Sequence, residues 1–173
     1  MSHIFQDWPT NARSAKARLV LVFLRTSQVI RHAPLPLFAI GIPILIAYRV
    51  IDEWMLCIAL PWNTRVGSGL RLFHSMGLVV NDQVVIGKNV VLRHTTTIGA
   101  KETLTLGSRT APTIGSDVDI GAHVVILGPI TVCNWARIGA GSIVIKDVPA
   151  GATVVGNPAR IIKMAAGQEV NHA

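Results

Sequence analysis

The sequence has few charged and few aromatic residues. Only 14% of its 173 residues are charged and 5% are aromatic, while half are hydrophobic. The 16 basic residues outnumber the 9 acidic ones, which favours anionic partners, but Lys and Arg are dispersed along the chain. Dispersed cations with so few aromatic rings argue against a nucleic-acid-binding module. The hydrophobic content is ample for a core, so the chain is one domain, or one domain with a smaller appendage.

Cysteine is also scarce, and this excludes a disulfide framework. The two cysteines, Cys57 and Cys133, both lie in apolar runs, where we expect buried free thiols and a reducing compartment. The first nine residues, MSHIFQDWP, place an acidic residue and a proline before any apolar stretch, unlike a signal peptide. These features predict a cytoplasmic protein.

A clear membrane-spanning run is missing as well. Residues 33–48 carry no charge, but this run is shorter than the roughly 20 apolar residues of a span and contains three prolines and a glycine. We predict helices over residues 11–31 and 43–58. The second is expected to bury one stripe, formed by Ile44, Tyr48, Ile51, Met55 and Ile58. Residues 1–62 are thus an N-terminal helical region, either a cap on the rest of the fold or a basic, apolar surface that rests on the cytoplasmic leaflet.

A period of six residues dominates the remainder of the chain. Aliphatic residues recur at every sixth position, at Ile114, Ile120, Ile126, Val132, Ile138 and Val144. A helix would repeat at three and four, and a hairpin would alternate around a turn dipeptide. A period of six instead describes a short strand followed by a corner, with three strands in each eighteen-residue coil. Repeats of this kind predict a parallel β-helix, which we place at residues 63–162.

Two irregularities interrupt the repeat. Val66 and Ile86 are twenty residues apart, two more than a regular coil, and we assign the surplus to a bulge at residues 81–85. Ile98 and Ile114 are sixteen apart where six are needed, so ten extra residues leave the prism as a loop at residues 100–112. Insertions in solenoids collect on functional faces. Residues 163–173 are predicted to be a frayed tail.

Two histidines occupy equivalent positions in this repeat. His74 and His94 are each the third residue of a hexad, and their separation of twenty equals the step between their coils. Their rings should therefore lie on the same face, one coil apart. Histidine is well suited to accept a proton near neutral pH, which makes both candidate general bases. The alternative is that both are ordinary polar residues at a corner.

The hexads, the loop after TTTIG and the closing IGAGSIVIKDVPAGATVVGNPARII resemble the acetyl-CoA-dependent acyltransferases of the hexapeptide-repeat class. The likeness is greatest to serine acetyltransferases and to colanic-acid-type O-acetyltransferases of exopolysaccharide gene clusters. It implies a left-handed β-helix, acetyl-CoA as co-substrate, no metal, and a homotrimer with active sites between neighbouring prisms. His74 matches the general base of serine acetyltransferases, and RHTTTIG around His94 is similar to the polysaccharide relatives.

The resemblance also implies differences from serine acetyltransferases. Ala59 lies where that family keeps an acid that orients the base, so Asp82 or a backbone carbonyl would have to orient His74. Thr110 and Ala111 lie where the family has the Arg-His pair whose His contacts serine. Four positions match those that line the pantetheine arm in the family, namely Gly99, Ala100, Ala122 and Ala140. The candidates for contact with the phosphates of coenzyme A are Arg137, Lys146, Arg160 and Lys163, and solvated surface charge is the alternative for each.

These residues predict transfer of an acetyl group from acetyl-CoA to a sugar hydroxyl in exopolysaccharide biosynthesis, by direct attack with histidine as base. The acceptor is expected to be a lipid-linked or nucleotide sugar. Serine O-acetylation and N-acetylation of an amino sugar are alternatives within the family. A zinc-dependent carbonic anhydrase of the same repeat class, using His74, His94 and His123, is a further alternative, as is a non-catalytic trimeric scaffold.

Overall fold

The computed structural model describes residues 4–101 and 110–164. In this part of the chain, two α-helices and a π-helical segment precede a prism built from short strands. The helical elements are α1 (Ala15–Arg31), α2 (Leu35–Arg49) and the π-helical segment Val50–Met55. The strands are β1 (Ile58–Ala59), β2 (Arg65–Val66), β3 (Arg71–Phe73), β4 (Leu78–Val80), β5 (Val85–Ile86), β6 (Val91–Arg93), β7 (Thr97–Gly99), β8 (Thr113–Ile114), β9 (Asp119–Ile120), β10 (Val125–Leu127), β11 (Thr131–Val132), β12 (Arg137–Ile138), β13 (Ile143–Val144), β14 (Thr153–Val155) and β15 (Arg160–Lys163).

The strands form the three faces of a prism of about four coils. The first sheet has the order β1-β4-β7-β10-β13, the second β2-β5-β8-β11, and the third β3-β6-β9-β12-β14-β15. Each hexad anchor stacks on the anchor one coil away, as in Val80, Ile98, Ile126 and Val144 of the first sheet. These side chains are almost fully buried and form the core. The predicted parallel β-helix with an N-terminal helical part is confirmed.

The two surplus residues do not form a bulge at residues 81–85, and that prediction is wrong. Leu72 pairs with Leu92, twenty residues on, but Val80 pairs with Ile98, only eighteen residues on. The surplus therefore lies between Leu72 and Val80, in the turn at residues 74–77. Leu78 and Val80 are both apolar and both buried, so the repeat alone could not tell which one is the anchor.

The register on either side of the insertion places its ten surplus residues between β7 and β8. Val85 pairs with Thr113 and Thr97 with Val125, each a step of 28 residues instead of 18. The backbone N–H of Lys101 donates to the carbonyl of Thr110 at 2.8 Å, which closes the base of the loop. The intervening residues of the predicted loop, 102–109, lie outside the described part of the chain.

The helices differ from the prediction at both of their beginnings. Ser14 caps α1 by accepting from the N–H of Ala17 at 3.1 Å, so the helix begins at Ala15 and not at residue 11. α2 begins at Leu35, eight residues before the predicted start, and contains Pro43. Pro34 and Pro36 suit a helix start, because the first turn needs no N–H donors.

The buried stripe of α2 also differs from the predicted one. Gly41, Leu45, Tyr48 and Asp52 are buried, whereas Met55 is 72% exposed. α2 has apolar residues on every side, so its sequence does not reveal the side that packs.

The helical region caps the upper end of the prism. Apolar residues of α1 join the core of the first coils, and polar residues of the N-terminal segment bind the exposed strand edge. The side chain of Asn11 donates to the carbonyl of Leu70 at 2.8 Å and accepts from the N–H of Leu72 at 3.0 Å. The buried guanidinium of Arg25 binds Asp7 and two carbonyls beside β2. Free strand edges invite pairing with other chains, and these contacts cover one of them.

Two smaller predictions are wrong. Lys163 does not begin a tail, because it ends β15, which pairs antiparallel with β14; residues 165–173 lie outside the described part. Cys57 is exposed and Cys133 is half-buried, so neither thiol is in the core. Cys57 occupies a prism corner, with a φ of 53°, and side chains at corners point away from the core.

Candidate active site

His74 and His94 lie at the same corner of the prism, where the chain passes from the third sheet to the first. We call the turns at residues 74–77, 94–95, 122–123 and 140–141 the histidine corner. The strands before His74 and His94 are in register, and the centroids of the two rings are 6.3 Å apart. The prediction that the two rings share one face is confirmed.

The turn that holds His74 is two residues longer than the equivalent turns below it. His74 has a φ of 54° and Gly77 a φ of 70°, both in the left-handed region, and the N–H of Met76 donates to the carbonyl of His74. A non-glycine residue at positive φ is uncommon and concentrates at functional sites. The longer turn leaves His74 exposed at the edge of the corner.

His123 adds a third ring, which the sequence analysis considered only as a zinc ligand. It lies at the corner position of Thr95 and Gly141, 28 residues after the first and 18 before the second, and its ring centroid is 5.0 Å from that of His94. The Oγ1 of Thr95 donates to the carbonyl of His94 at 2.7 Å and lies 2.6 Å from Nδ1 of His123. We assign the hydroxyl proton of Thr95 to that carbonyl, so that Nδ1–H of His123 donates to Thr95 and Nε2 of His123 is an acceptor.

The ring of His94 differs from that of His123 in its hydrogen bonding. Its Nδ1 is buried and has no hydrogen-bond partner among the described residues. A buried lone pair without a donor is less costly than a buried N–H without an acceptor. We therefore assign the proton of the neutral His94 ring to Nε2, which makes that nitrogen a hydrogen-bond donor.

Asp82 does not orient His74. Asp82 follows the far end of β4, at the corner between the first and second sheets, and accepts from the side chain of Asn63 at 2.9 Å. Ala59 pairs with Val79 on the first sheet and offers only a methyl group. Within the described ranges, no hydrogen bond holds the His74 ring, which contacts the edge of His94.

The four predicted pantetheine positions divide between two corners. Ala122 and Ala140 lie at the histidine corner, one coil apart, and the N–H of Gly141 donates to the carbonyl of Ala122 at 2.9 Å. The N–H groups of Ala122 and Ala140 have no acceptor among the described residues, so they are available to a ligand carbonyl. Gly99 and Ala100 lie at the other end of β7, at the corner with the second sheet.

The four predicted phosphate-binding cations also separate. Arg137, Thr153 and Lys163 are neighbours across the third sheet, so Arg137 and Lys163 share its outer face. Arg160 pairs with Val155, at the end of β14 nearest the histidine corner. Lys146 follows β13, at the corner between the first and second sheets, and stands apart from the others. All four side chains are exposed.

A cleft of about 820 Å³ lies between the helical region and the outer side of the first sheet. Its lining mixes apolar and polar residues and comprises Arg31, Tyr48, Arg49, Asp52, Glu53, Ile58, Leu60, Pro61, Trp62, Asn63, Val79, Val80, Asn81, Asp82, Ile98, Gly99 and Ala100. Its central strand, β4, begins at the His74 turn and is only about 10 Å long. The cleft and the histidine corner therefore lie at opposite ends of the same strand.

Asp52 is a buried acid in the wall of this cleft. It is 2% exposed, and its Oδ2 has no hydrogen-bond partner among the described residues. Burial raises the pKa of its carboxyl group to about 7. Burial also raises the pKa of the adjacent Tyr48 well above its ordinary value, and the hydroxyl of Tyr48 donates to the carbonyl of Leu60 at 2.5 Å.

Thr110 and Ala111 provide no group that recognises an amino acid. The hydroxyl of Thr110 donates to Oε1 of Gln83 at 2.9 Å, and Ala111 is buried at 1% exposure. In the described ranges, no group of three or more His, Cys, Asp and Glu side chains is arranged to hold a metal ion. The three rings of the histidine corner are stacked along the prism and do not converge on one point.

No protein-family profile matches the chain. Among curated proteins, the putative colanic acid biosynthesis acetyltransferase WcaB of Escherichia coli K12 is 37% identical over 119 residues, which are 69% of this chain and 72% of that protein. Serine acetyltransferase 3 of Arabidopsis thaliana is 45% identical over 100 residues, which are 58% of this chain but 25% of that protein.

Solved structures give the same relationship over nearly the whole chain. Soybean serine acetyltransferase aligns with a TM-score of 0.72 and 30% identity, covering 93% of this chain and 68% of that one. A serine acetyltransferase in complex with CoA aligns with a TM-score of 0.70 and 26% identity, covering 90% of this chain and 60% of that one. The chain therefore belongs to the hexapeptide-repeat acetyltransferases, enzymes with a left-handed β-helix that use acetyl-CoA as acetyl donor.

Proposed function

We propose that this enzyme O-acetylates a sugar in exopolysaccharide biosynthesis. The observation that supports this most directly is the pair Thr110 and Ala111, which itself supplies neither a guanidinium nor an imidazole group for an amino-acid acceptor. The similarity to WcaB, a putative colanic acid biosynthesis acetyltransferase, points in the same direction. A sugar offers hydroxyl groups and no carboxylate, so the loss of this pair does not impair its binding.

The cleft beside the first sheet suits the glycosyl part of such an acceptor. Trp62 offers an aromatic ring in its wall, and Asn63, Asn81 and Asp82 supply amide and carboxylate groups at its rim. A largely apolar cleft with a few polar groups is the usual form of a small-molecule site. An acceptor longer than one sugar unit, lying along β4, would bring a hydroxyl to the histidine corner.

The chemistry is a direct transfer. Neutral His74 takes the proton from the acceptor hydroxyl as that oxygen bonds to the thioester carbonyl carbon. The resulting oxyanion is stabilised by a backbone N–H, for which Ala122 has a free donor. The carbon–sulfur bond then breaks, and the thiolate of coenzyme A takes the proton from His74. The products are the acetyl ester and free coenzyme A.

His94 then has a positioning role. Its Nε2–H is placed to donate a hydrogen bond to the acceptor oxygen, which leaves proton removal to His74. Acetyl-CoA is expected to lie along the histidine corner, in contact with Ala122 and Ala140 and with its phosphates near Arg160. The residues at the other corner, Gly99, Ala100 and Lys146, would contact only an acetyl-CoA molecule that is bound at the histidine corner of a neighbouring prism. This need for a second prism supports a homotrimer.

The test compares alanine variants at the histidine corner, with release of coenzyme A thiol as the assay. His74→Ala should lower kcat at least about a hundredfold, with little change in acetyl-CoA affinity. His94→Ala should cost less, and His123→Ala only a few-fold. The opposite order would move the base to His94. If none of the three costs more than a few-fold, the stacked rings are structural.

Acceptor class and assembly are tested separately. L-serine should be a poor acceptor beside lipid-linked or nucleotide sugars, and turnover of serine equal to that of the best sugar would overturn the proposal. Light scattering should give three times 18.6 kDa, and a fully active monomer would exclude a site shared between prisms.

A further inference from the structure

α2 exposes far more apolar surface than a soluble helix normally does. Of its fifteen residues, only Gly41, Leu45 and Tyr48 are buried. Leu35 is 80% exposed and Ile40 74%. Leu37, Ile42, Ile44 and Ile46 are exposed as well. Large contiguous apolar patches on a protein surface mark contact with another protein or with a membrane.

The distribution of this surface around the helix favours lipid over a second copy of the chain. Successive residues of a helix are about 100° apart, so Leu35 and Ile42 point to one side of the axis and Leu37 and Ile40 to roughly the opposite side. A packed protein partner covers one stripe of a helix, which would leave the other sides in water. Hydrocarbon surrounds an inserted helix on all of its free sides.

Charge at the start of α2 fits an anionic surface. Arg31 is the last residue of α1 and is exposed, and His32 follows it. A surface depression beside this end of α2 includes His32 and Arg65 and contains no acidic residue. At the other end, Arg49 is paired with Glu53. The cations therefore lie where α2 begins, next to its most exposed apolar turns.

The packing of the far end excludes a full span. The helical stretch Leu35–Met55 is long and apolar enough to cross a membrane, but Tyr48 and Asp52 are buried against the prism. The free part, residues 35–46, is about 18 Å long, well short of the roughly 30 Å hydrocarbon core. Trp54, 82% exposed, lines an apolar groove together with Phe38 and Ile46 and so continues the same surface.

We propose that α2 is a membrane-docking helix. Residues 35–46 insert into the boundary between headgroups and acyl chains of an anionic cytoplasmic leaflet, with Arg31 and Arg65 at the headgroups and Trp54 at the interface. The enzyme is thereby held at the surface where an acceptor attached to lipid would be found. This docking does not depend on the identity of the acceptor.

The test is co-sedimentation of the full chain with vesicles of phosphatidylcholine containing about one third phosphatidylglycerol. The wild type should bind, and the triple variant Leu35→Gln, Leu37→Gln, Ile40→Gln should bind at least about a hundredfold more weakly. Arg31→Gln with Arg65→Gln should lose about twentyfold on these vesicles and little on pure phosphatidylcholine. The matched control, Trp135→Gln with Ile145→Gln and Ile162→Gln, removes exposed apolar groups from the prism and should bind like the wild type.

Two results would overturn the proposal: a wild type that stays in the supernatant, and an α2 triple variant that binds as well as the wild type. If the wild type does not co-sediment with vesicles and the triple variant changes from trimer to monomer, the exposed surface of α2 contacts a second copy of the chain. Should the triple variant misfold, brominated phosphatidylcholine provides a test on folded protein. It should quench the wild type more than Trp54→Phe, and equal quenching would contradict insertion.

Discussion

Replacing Arg25 by Met should destabilise the protein more than almost any other single change to a charged residue. Arg25 is 1% exposed, and its guanidinium donates to Asp7 Oδ2 at 2.8 Å, Gln28 Oε1 at 3.0 Å, and the carbonyls of Val66 at 2.8 Å and Gly67 at 2.6 Å. These bonds attach α1 and the N-terminal segment to the first coil of the prism. Methionine has a similar length but provides none of them.

The magnitude follows from what the substitution leaves behind. Asp7 is 2% exposed and, among the described residues, would keep only the N–H of Leu70, at 2.9 Å, as a partner for its charge. Breaking a buried ion pair by removing one partner costs about 3–5 kcal/mol. In a chain of this length, such a loss corresponds to a Tm lower by roughly 6–20 °C.

Urea denaturation followed by tryptophan fluorescence provides the measurement, at one fixed protein concentration. The double variant Asp7→Asn with Arg25→Met should recover a large part of the loss, because no charge is then stranded. Arg49→Met is the matched control: its ion pair with Glu53 is exposed, so its loss should cost less than about 0.5 kcal/mol. If Arg25→Met costs under about 1 kcal/mol, or no more than Arg49→Met, the buried pair does not anchor the helical cap.

Three further predictions concern other parts of the fold. Because burial raises the pKa of Asp52 to about 7, its ionisation in the folded state is opposed; wild-type stability should fall between about pH 4 and 7, and the stability gain of Asp52→Asn should grow over that range and then level off. A pH-independent gain in denaturation curves would contradict this. Gly87→Ala should lower the free energy of unfolding by about 2–3 kcal/mol, because the new Cβ would lie 2.5 Å from the backbone of the next coil. At Gly141 a new Cβ has no atom within 4 Å, so Gly141→Ala should cost only about 1 kcal/mol, for the positive φ. Equal losses for the two variants would exclude the clash at Gly87. Exposed Cys57 should react with a thiol reagent in the native state faster than half-buried Cys133, and modification of the two at one rate would show that Cys57 is covered in the assembly.

The sequence predicts the prism well because its signal is redundant. Each anchor is repeated in every coil, so the register on both sides of the long loop follows from counting, as does the shared face of His74 and His94. The two surplus residues could not be placed, because Leu78 and Val80 satisfy the same apolar pattern. The repeat does not reveal His123 as a member of the histidine corner, because His123 occupies the corner position after that of His94. The equivalent residues in the two neighbouring coils are Thr95 and Gly141, which are not histidines.

The helical region was harder to predict, for physical reasons. A sequence reveals a packed face only where apolar and polar sides differ, and α2 has no polar side. The buried acid Asp52 lies outside the stripe that the sequence predicts to be buried. Its burial, which raises its pKa, is a tertiary feature. The role of individual site residues depends in the same way on contacts between coils, such as that between Thr95 and His123.

The coils contain different numbers of residues, and this affects where the sequence of this enzyme can gain or lose residues. Steps of 20, 28 and 18 residues coexist along one prism, and the excess residues that the structure describes lie outside the strands. Adding one residue to a strand would turn its inward side chains outward, whereas doubling the length of a corner segment costs only about 0.6 kcal/mol in closure entropy. The corners also hold the histidines and the base of the long loop. Substrate preference can therefore diverge through insertions and deletions at the corners while the three stacked sheets remain as they are.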